Sequence, residues 1–217
     1  YLTTHNAYNT KDDGFKLPNQ EWNISTQLKY GVRALMFDVY EESDELVVYH
    51  GFKILGSKPF IEVLNEIREF MEENPKEVVT IILECYVNSN QIASEIEDSG
   101  LSKYLYTKNK HENWGTLKEM IDDNTRLVVF SDKNDAEVGQ EWYHYMWDFA
   151  VETHYANHNL KDFNNDFNRG KENAETKDLV ILNHFLTKTI TGVGSIQKSK
   201  KANSILVDRI NTFHAVT

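Results

Sequence analysis

The chain has 217 residues, a formal net charge of −11, and 40% hydrophobic and 12% aromatic residues. An acidic balance of this size argues against a nucleic-acid groove, which needs a basic stripe, and against a polybasic membrane anchor. The single cysteine excludes an internal disulfide, and no apolar run is long enough to span a bilayer. Prolines and glycines are scarce and no tract resembles a linker, which predicts one domain over residues 1–217.

Apolar runs alternate with helical patterns along the chain, which is typical of repeated βα units around a parallel sheet. The clearest helix has Pro59 at its start, an apolar stripe along one face and Asn74-Pro75 at its end. The predicted strands are Tyr1–His5 (the end of a strand), Val32–Tyr40, Leu46–His50, Val78–Glu84, Arg126–Phe130, Phe149–Thr153 and Leu179–His184. The predicted helices are Pro59–Glu73, Gln91–Asp98, Thr116–Ile121, Gly139–Tyr145 and approximately Ser195–Asn211.

This alternation predicts an α/β fold of the TIM type, a (β/α) barrel. A closed barrel of this kind runs to about 250 residues. We therefore expect the barrel to be trimmed at both ends, with about seven strands complete. The eighth strand is expected where the sequence stops, at Val216-Thr217.

Four of the predicted strands deliver polar residues to their C-terminal ends: His5 with Asn6, Asp38, His50 and Glu84. Active sites of parallel barrels lie at that end of the strands, so we expect these side chains to meet. Two histidines with carboxylates allow a His/carboxylate metal site or His acid/base chemistry beside a hard cation. Oxygen donors favour Ca²⁺ or Mg²⁺ over zinc, for which no closely spaced ligand pair is present.

Four segments appear in an order that resembles the X domain of phosphatidylinositol-specific phospholipase C: Thr4–Asn9, Gly31–Asp38, Val47–Gly51 and Asn74–Glu84. Three later segments resemble the large microbial and plant branch of phospholipase C-like phosphodiesterases: Met146–Glu152, Asn168–Gly170 and Leu182–Phe185. The resemblance spans nearly the whole chain. It implies that a head-group hydroxyl attacks the phosphorus and releases diacylglycerol and a cyclic phosphate.

The resemblance implies that His5 and His50 are the catalytic histidines. We assign His5 as the base that removes the hydroxyl proton and His50 as the acid that protonates the leaving alkoxide.

A divalent cation is also implied. The metal-dependent branch has an Asn after the first His, a Glu-x-Asp pair on the second strand and a Glu on the fourth. Asn6, Asp38 and Glu84 match three of these positions, whereas Met36 replaces the first acid. The metal-free branch has an Arg where this chain has Tyr40. We therefore expect Ca²⁺, with Mg²⁺ as the alternative, held by Asn6, Asp38, Glu84 and water.

The predicted substrate contacts are Lys133, Arg169 and Tyr40. Lys133 follows a strand that resembles the family strand ending in two lysines near the substrate phosphate, with Ser131 at the other position. Arg169 in the Asn-Arg-Gly turn is a candidate for anion binding, against a plain salt bridge. We expect Arg33 to form a structural ion pair and His144 to lie on the surface.

The expected function is a phosphoric diester hydrolase or lyase of the phospholipase C type, acting on a phosphatidylinositol-like or glycerophosphodiester substrate. One alternative is a glycerophosphodiester phosphodiesterase or sphingomyelinase D-like enzyme on the same barrel. Another is a weakly active or inactive barrel that binds head groups, which Met36 and the missing lysine favour. The resemblance further implies a secreted or cell-envelope monomer that binds no nucleic acid, and it leaves peripheral membrane contact open.

Overall fold

A computed structural model describes residues 1–187 and 196–214. The strands are β1 Thr3–Thr4, β2 Ala34–Glu42, β3 Glu45–Val48, β4 Lys58–Pro59, β5 Val79–Cys85, β6 Leu127–Ser131, β7 Tyr143–Tyr145, β8 Ala150–Glu152 and β9 Leu179–Ile181. The helices are α1 Ile24–Lys29, α2 Phe60–Glu73, α3 Ser89–Asp98, α4 Leu117–Asp122, α5 Met146–Phe149, α6 Ile196–Asn203 and α7 Leu206–His214.

The main sheet is mixed and has the order β4-β3-β2-β5-β6-β7, with β1 also paired to β2. Strands β1, β2, β5, β6 and β7 are parallel, whereas β3 and β4 return in antiparallel pairing. β1 pairs with the first half of β2, with Thr4 opposite Leu35, and β3 pairs with the second half, with Val48 opposite Val39. Since β5 occupies the other edge of β2, β1 and β3 share one edge and leave a gap beside Met36, Phe37 and Asp38.

One face of the sheet packs against α1, α2 and α3. Side chains such as Phe37 of β2 and Ile81 of β5 are fully buried there against Phe60 and Leu64 of α2. This confirms the apolar stripe predicted for α2. Burial of each such side chain contributes about 1.5–3 kcal/mol, so this layer anchors the strands that deliver the site.

The opposite face carries a second apolar cluster that joins the main sheet to a separate parallel pair, β8 and β9. We call its aromatic part the seam: Trp114, Phe130, His144 and Phe149. Ring centroids lie 5.3 Å apart for Trp114 and Phe149 and 5.7 Å apart for Phe130 and His144. The seam therefore holds β8–β9 beside β6 and β7.

The structure corrects several predictions. The helix predicted over Gly139–Tyr145 is wrong, because this segment ends in strand β7, and His144 is buried rather than at the surface. The Leu46–His50 strand is antiparallel to β2, since Ser43 and Asp44 form a tight turn with φ of 53° and 67°. A connection this short allows a hairpin but no parallel crossover.

The helix predicted over Ser195–Asn211 is two helices, α6 and α7, and Ser195 lies outside the described residues. The α/β class is confirmed, whereas closure into a TIM-type barrel stays a prediction. None of the described helices combines the length and apolarity that crossing a membrane requires.

Candidate active site

The gap along the edge of β2 brings the two predicted catalytic histidines together. The chain leaves β1 through His5, and the Ala7 N–H donates to the Met36 carbonyl at 3.0 Å. His50 follows β3 into the same gap from the opposite direction. Its Nδ1 lies 3.0 Å from Oδ2 of Asp38, which forms a histidine–carboxylate pair.

His5 lies in an apolar part of the site. Its ring stacks on Phe185 with centroids 4.0 Å apart and planes 16° apart, and its Nδ1 is buried with no hydrogen-bond partner among the described residues. Burial lowers the pKa of His5 to about 4, against a smaller raising effect of Asp38 and further lowering by His50 and Arg169. His5 is therefore neutral near pH 7, the state in which an imidazole accepts a proton.

The three predicted cation ligands lie on neighbouring segments: Asn6 follows β1 at the gap, Asp38 lies on β2, and Glu84 lies on β5, across β2 from the gap. Asn6 has a left-handed φ of 49° and is buried, and neither amide atom has a hydrogen-bond partner among the described residues. Asp38 on β2 lies directly opposite Glu84 on β5. Burial first, and then the charge of Asp38, raises the pKa of Glu84. Two mutually repelling carboxylates beside an unpartnered amide oxygen fit a hard divalent cation.

The described residues contain no group of three His, Cys, Asp or Glu side chains arranged to hold a metal. The amide oxygen of Asn6 would therefore have to complete a set formed by Asp38 and Glu84. A set with only two carboxylates agrees with the sequence, in which Met36 replaces the first acid of the Glu-x-Asp pair.

A cavity of about 210 Å³ opens beside these residues. Its lining combines residues of the main sheet with residues from the β8–β9 side: His5, Met36, Glu84, Asp132, Glu152, Tyr155, Arg169, Asn183 and Phe185. The cavity is polar on most sides and apolar where Met36 and Phe185 lie. A small polar head group suits such a lining.

The β8–β9 side supplies an arginine clamp, formed by Glu152, Arg169 and Asn183. Nε of Arg169 donates to Oε1 of Glu152, and Nδ2 of Asn183 donates to Oε2 of Glu152 at 3.0 Å. Sequence reasoning identified Arg169 and missed the other two. Glu152 ends strand β8 just as Glu84 lies near the end of β5. The search for polar residues at the C-terminal ends of strands could therefore have found Glu152 as well.

Lys133 and Tyr40 do not line this cavity. Nζ of Lys133 donates to the Val87 carbonyl at 2.7 Å and lies 3.8 Å from Asp135. The Tyr40 ring stacks between Tyr49 and Tyr86, with centroids 4.0 and 4.3 Å away. Their substrate contacts stay predictions, and an extended head group or a rearranged side chain would be needed to make them.

The fold resembles solved phosphatidylinositol-specific phospholipases C. The enzyme of Listeria monocytogenes matches with a TM-score of 0.59 and 18% identity over 98% of this chain and 80% of that one. A pentafluoro-Phe form of the Staphylococcus aureus enzyme matches with a TM-score of 0.66 and 11% identity, covering 97% and 81% of the two chains. At identities this low, the similarity shows only that the chain shares the α/β fold of phosphatidylinositol-specific phospholipases C.

The family model described as PI-PLC X 1 matches residues 2–215, and the chain belongs to this family. The PI-PLC X domain-containing protein At5g67130 of Arabidopsis thaliana is 30% identical over 206 residues, 86% of this chain and 48% of that protein. An uncharacterized secreted protein of Arthroderma benhamiae is 28% identical over 141 residues, 60% of this chain and 32% of that protein. The chain thus spans less than half the length of these curated relatives. The predicted family is confirmed.

Proposed function

We propose that the chain is a phosphodiesterase of the phospholipase C type that cleaves a phosphatidylinositol-like lipid by His/His acid–base catalysis. One observation carries the proposal: a buried His5 and an Asp38-paired His50 flank one gap in a chain of the PI-PLC X family.

The two histidines have different environments and therefore different tasks. His5 is held neutral by burial and accepts the proton of the attacking head-group hydroxyl. The new O–P bond forms as the bond from phosphorus to the diacylglycerol oxygen breaks. His50, whose protonated form Asp38 stabilises, donates a proton to the departing oxygen. The products are diacylglycerol and a cyclic phosphodiester, and exchange with water returns both histidines to their starting states.

A cation is part of the proposal, with Ca²⁺ favoured and Mg²⁺ as the alternative. Asn6, Asp38 and Glu84 would hold it, since their unpartnered amide and repelling carboxylates fit an oxygen-ligand site. When bound, it would supply positive charge to the phosphoryl oxygens. The chain itself orients the ring of His50 through Asp38 and keeps water away from His5 through Phe185.

The remaining expectations extend the same proposal. The substrate is a phospholipid or glycerophosphodiester, taken by a monomer with a TIM-type barrel in peripheral contact with a membrane. A secreted or cell-envelope location is supported by the description of the fungal relative as secreted.

The test is turnover of phosphatidylinositol vesicles by the purified chain, followed by ³¹P NMR for the cyclic phosphate. Glycerophosphoinositol and sphingomyelin are assayed in parallel, with and without EGTA. Cleavage of phosphatidylinositol that EGTA abolishes is the expected result. Cleavage of glycerophosphoinositol or sphingomyelin alone would favour the related phosphodiesterases, and binding without turnover would favour a head-group-binding barrel. Undiminished turnover in EGTA would contradict the cation.

A further inference from the structure

The arginine clamp contains a carboxylate that is costly to bury. The side chain of Glu152 is 2% exposed, whereas that of Arg169 is 43% exposed. Removing a carboxylate from water costs several kcal/mol unless it is paired and hydrogen-bonded. Glu152 meets this requirement with both oxygens, one toward Arg169 and one toward Asn183. The carboxylate therefore lies behind the guanidinium, and the guanidinium faces the accessible side.

Several contacts hold Arg169 in one place. Its guanidinium lies over the rings of Trp147 and Tyr155, 4.7 and 4.8 Å from their centroids. The Glu152 N–H donates to the Arg169 carbonyl at 3.1 Å. A Cβ at Gly170 would lie 2.2 Å from the Ala150 carbonyl oxygen, so only glycine allows the loop to approach β8 this closely. This degree of restraint exceeds what a surface ion pair needs.

Arg169 is also the cation of the site. It is the only Lys or Arg among the described residues that line the 210 Å³ cavity. Its charge lowers the pKa of His5 and opposes the burial that raises the pKa of Glu84 and of Asp132. Nε is the atom that contacts Glu152, and neither Nη group has a hydrogen-bond partner among the described residues. Those two groups form the fork that matches a phosphoryl group.

We propose that Glu152 is a positioning residue that, with Asn183, directs the Arg169 guanidinium at the phosphoryl oxygens of the substrate. This inference rests on the proposed phosphodiesterase activity. Negative charge develops on these oxygens during attack, and a fixed donor in a restrained site stabilises it without reorganisation. Glu152 acts only through Arg169, which distinguishes it from a residue that merely stabilises the fold.

A double-mutant cycle separates the two roles. Arg169→Ala, Glu152→Ala and the double variant are compared for kcat and KM on phosphatidylinositol vesicles, and for the Kd of glycerophosphoinositol by calorimetry. Arg169→Ala is expected to lower kcat/KM about 100-fold, as loss of a transition-state donor does. Glu152→Ala alone is expected to lower it about 10-fold, but less than about 2-fold when Arg169 is already Ala.

The matched control is Glu77→Ala. Glu77 pairs with Nε of Arg33 at 2.7 Å, which confirms the predicted structural ion pair and offers the same chemistry away from the cavity. Glu77→Ala is expected to lower the melting temperature and leave kcat unchanged. If Glu152→Ala does not fold, Glu152→Gln, which has nearly the same shape, is used in the same cycle.

Four results decide the inference. Non-additive losses with an unaffected Glu77→Ala control support it. Additive losses would overturn it, because Glu152 would then act independently of Arg169. Unchanged kinetics of Arg169→Ala on a substrate that the unmodified chain cleaves would overturn it while leaving the proposed function intact. Failure of the unmodified chain to bind or cleave any of the phosphodiesters would overturn the proposed function and this inference together.

Discussion

The candidate site has two walls that use carboxylates differently, one beside the gap in the main sheet and one on the β8–β9 side. On the main-sheet wall, Oδ2 of Asp38 lies 3.0 Å from Nδ1 of the His50 imidazole, a group that can gain and lose a proton. On the β8–β9 wall, Glu152 contacts a guanidinium that is always charged, so it affects where the charge lies and not whether it exists. The first wall is suited to moving protons and the second to holding a positive charge in place. The proposed phosphodiesterase activity needs both, and the two walls lie on separate sheets joined by the seam.

The largest expected effect concerns the proton-moving wall. We expect His5→Ala and His50→Ala each to lower kcat/KM about 1000-fold, within the usual range for loss of a general acid or base. The measurement is initial-rate kinetics on phosphatidylinositol vesicles with melting curves for folding. His111→Ala is the control, because His111 is exposed. Full activity in either site variant would remove the acid–base assignment.

Replacing Asp38 by Asn tests whether its charge matters. The amide introduced by Asp38→Asn has nearly the same shape as the carboxylate but no negative charge, so the protonated form of His50 would lose its partner. We expect kcat to fall about 100-fold, the lower end of the range for impaired general acid–base catalysis. Asp98→Asn, at an exposed position in the last turn of α3, serves as the control. An unchanged kcat would show that the negative charge of Asp38 does not assist proton transfer by His50, which would remove the contrast between the two walls.

A glycine pair tests the charge-holding wall. Gly170 has φ of +69° and no room for a Cβ, whereas Gly139 has φ of +91° and nothing within 4 Å. We expect Gly139→Ala to cost about 1–2 kcal/mol of unfolding free energy, from backbone strain alone. Gly170→Ala is expected to cost about 1 kcal/mol more through the contact with Ala150, and to lower kcat by displacing Arg169. Urea unfolding measures both losses of free energy. Equal losses in the two variants would argue against the close approach of Gly170 to the Ala150 carbonyl.

The smallest expected effect concerns the seam. Burial lowers the pKa of His144 to about 4, with Lys108 lowering it further and the Tyr106 backbone opposing. The unfolded chain therefore binds more protons at this residue below its ordinary pKa, and stability falls as pH decreases from about 6.5 toward 4. The unfolding free energy of the unmodified chain falls between pH 7 and pH 5, in part because of His144. We expect this fall to be about 1–2 kcal/mol smaller in His144→Leu.

Urea unfolding at the two pH values measures this effect. Exposed His111→Leu is the control and is expected to leave the pH dependence unchanged. An identical pH dependence in His144→Leu would mean that the seam admits water and joins the two sheets more loosely than the ring contacts indicate.

The local sequence pattern was enough to predict some helices and strands but not others. The apolar stripe of α2 and the aliphatic run of β5 were predictable because their periodicity is strong over many residues. β7 was not, because Tyr143 and His144 are both buried and the segment shows no alternation between polar and apolar positions. His50 was correctly placed beside Asp38, although for a reason that the structure corrects: a hairpin brings it there, not a parallel strand.

Sequence by itself determined the family and the α/β class, and it predicted the candidate residues of the main-sheet site, because these depend on short motifs and on which strand ends carry polar groups. Only the tertiary structure decided that Glu152 and Asn183 lie around Arg169, that Phe185 covers His5, and that Lys133 binds a backbone carbonyl. The physical reason is distance along the chain. The partners of a buried carboxylate are the groups that the fold brings close to it, whatever their distance in sequence. Strands β8 and β9 bring residues 152, 169 and 183 together, and no local sequence pattern predicts this.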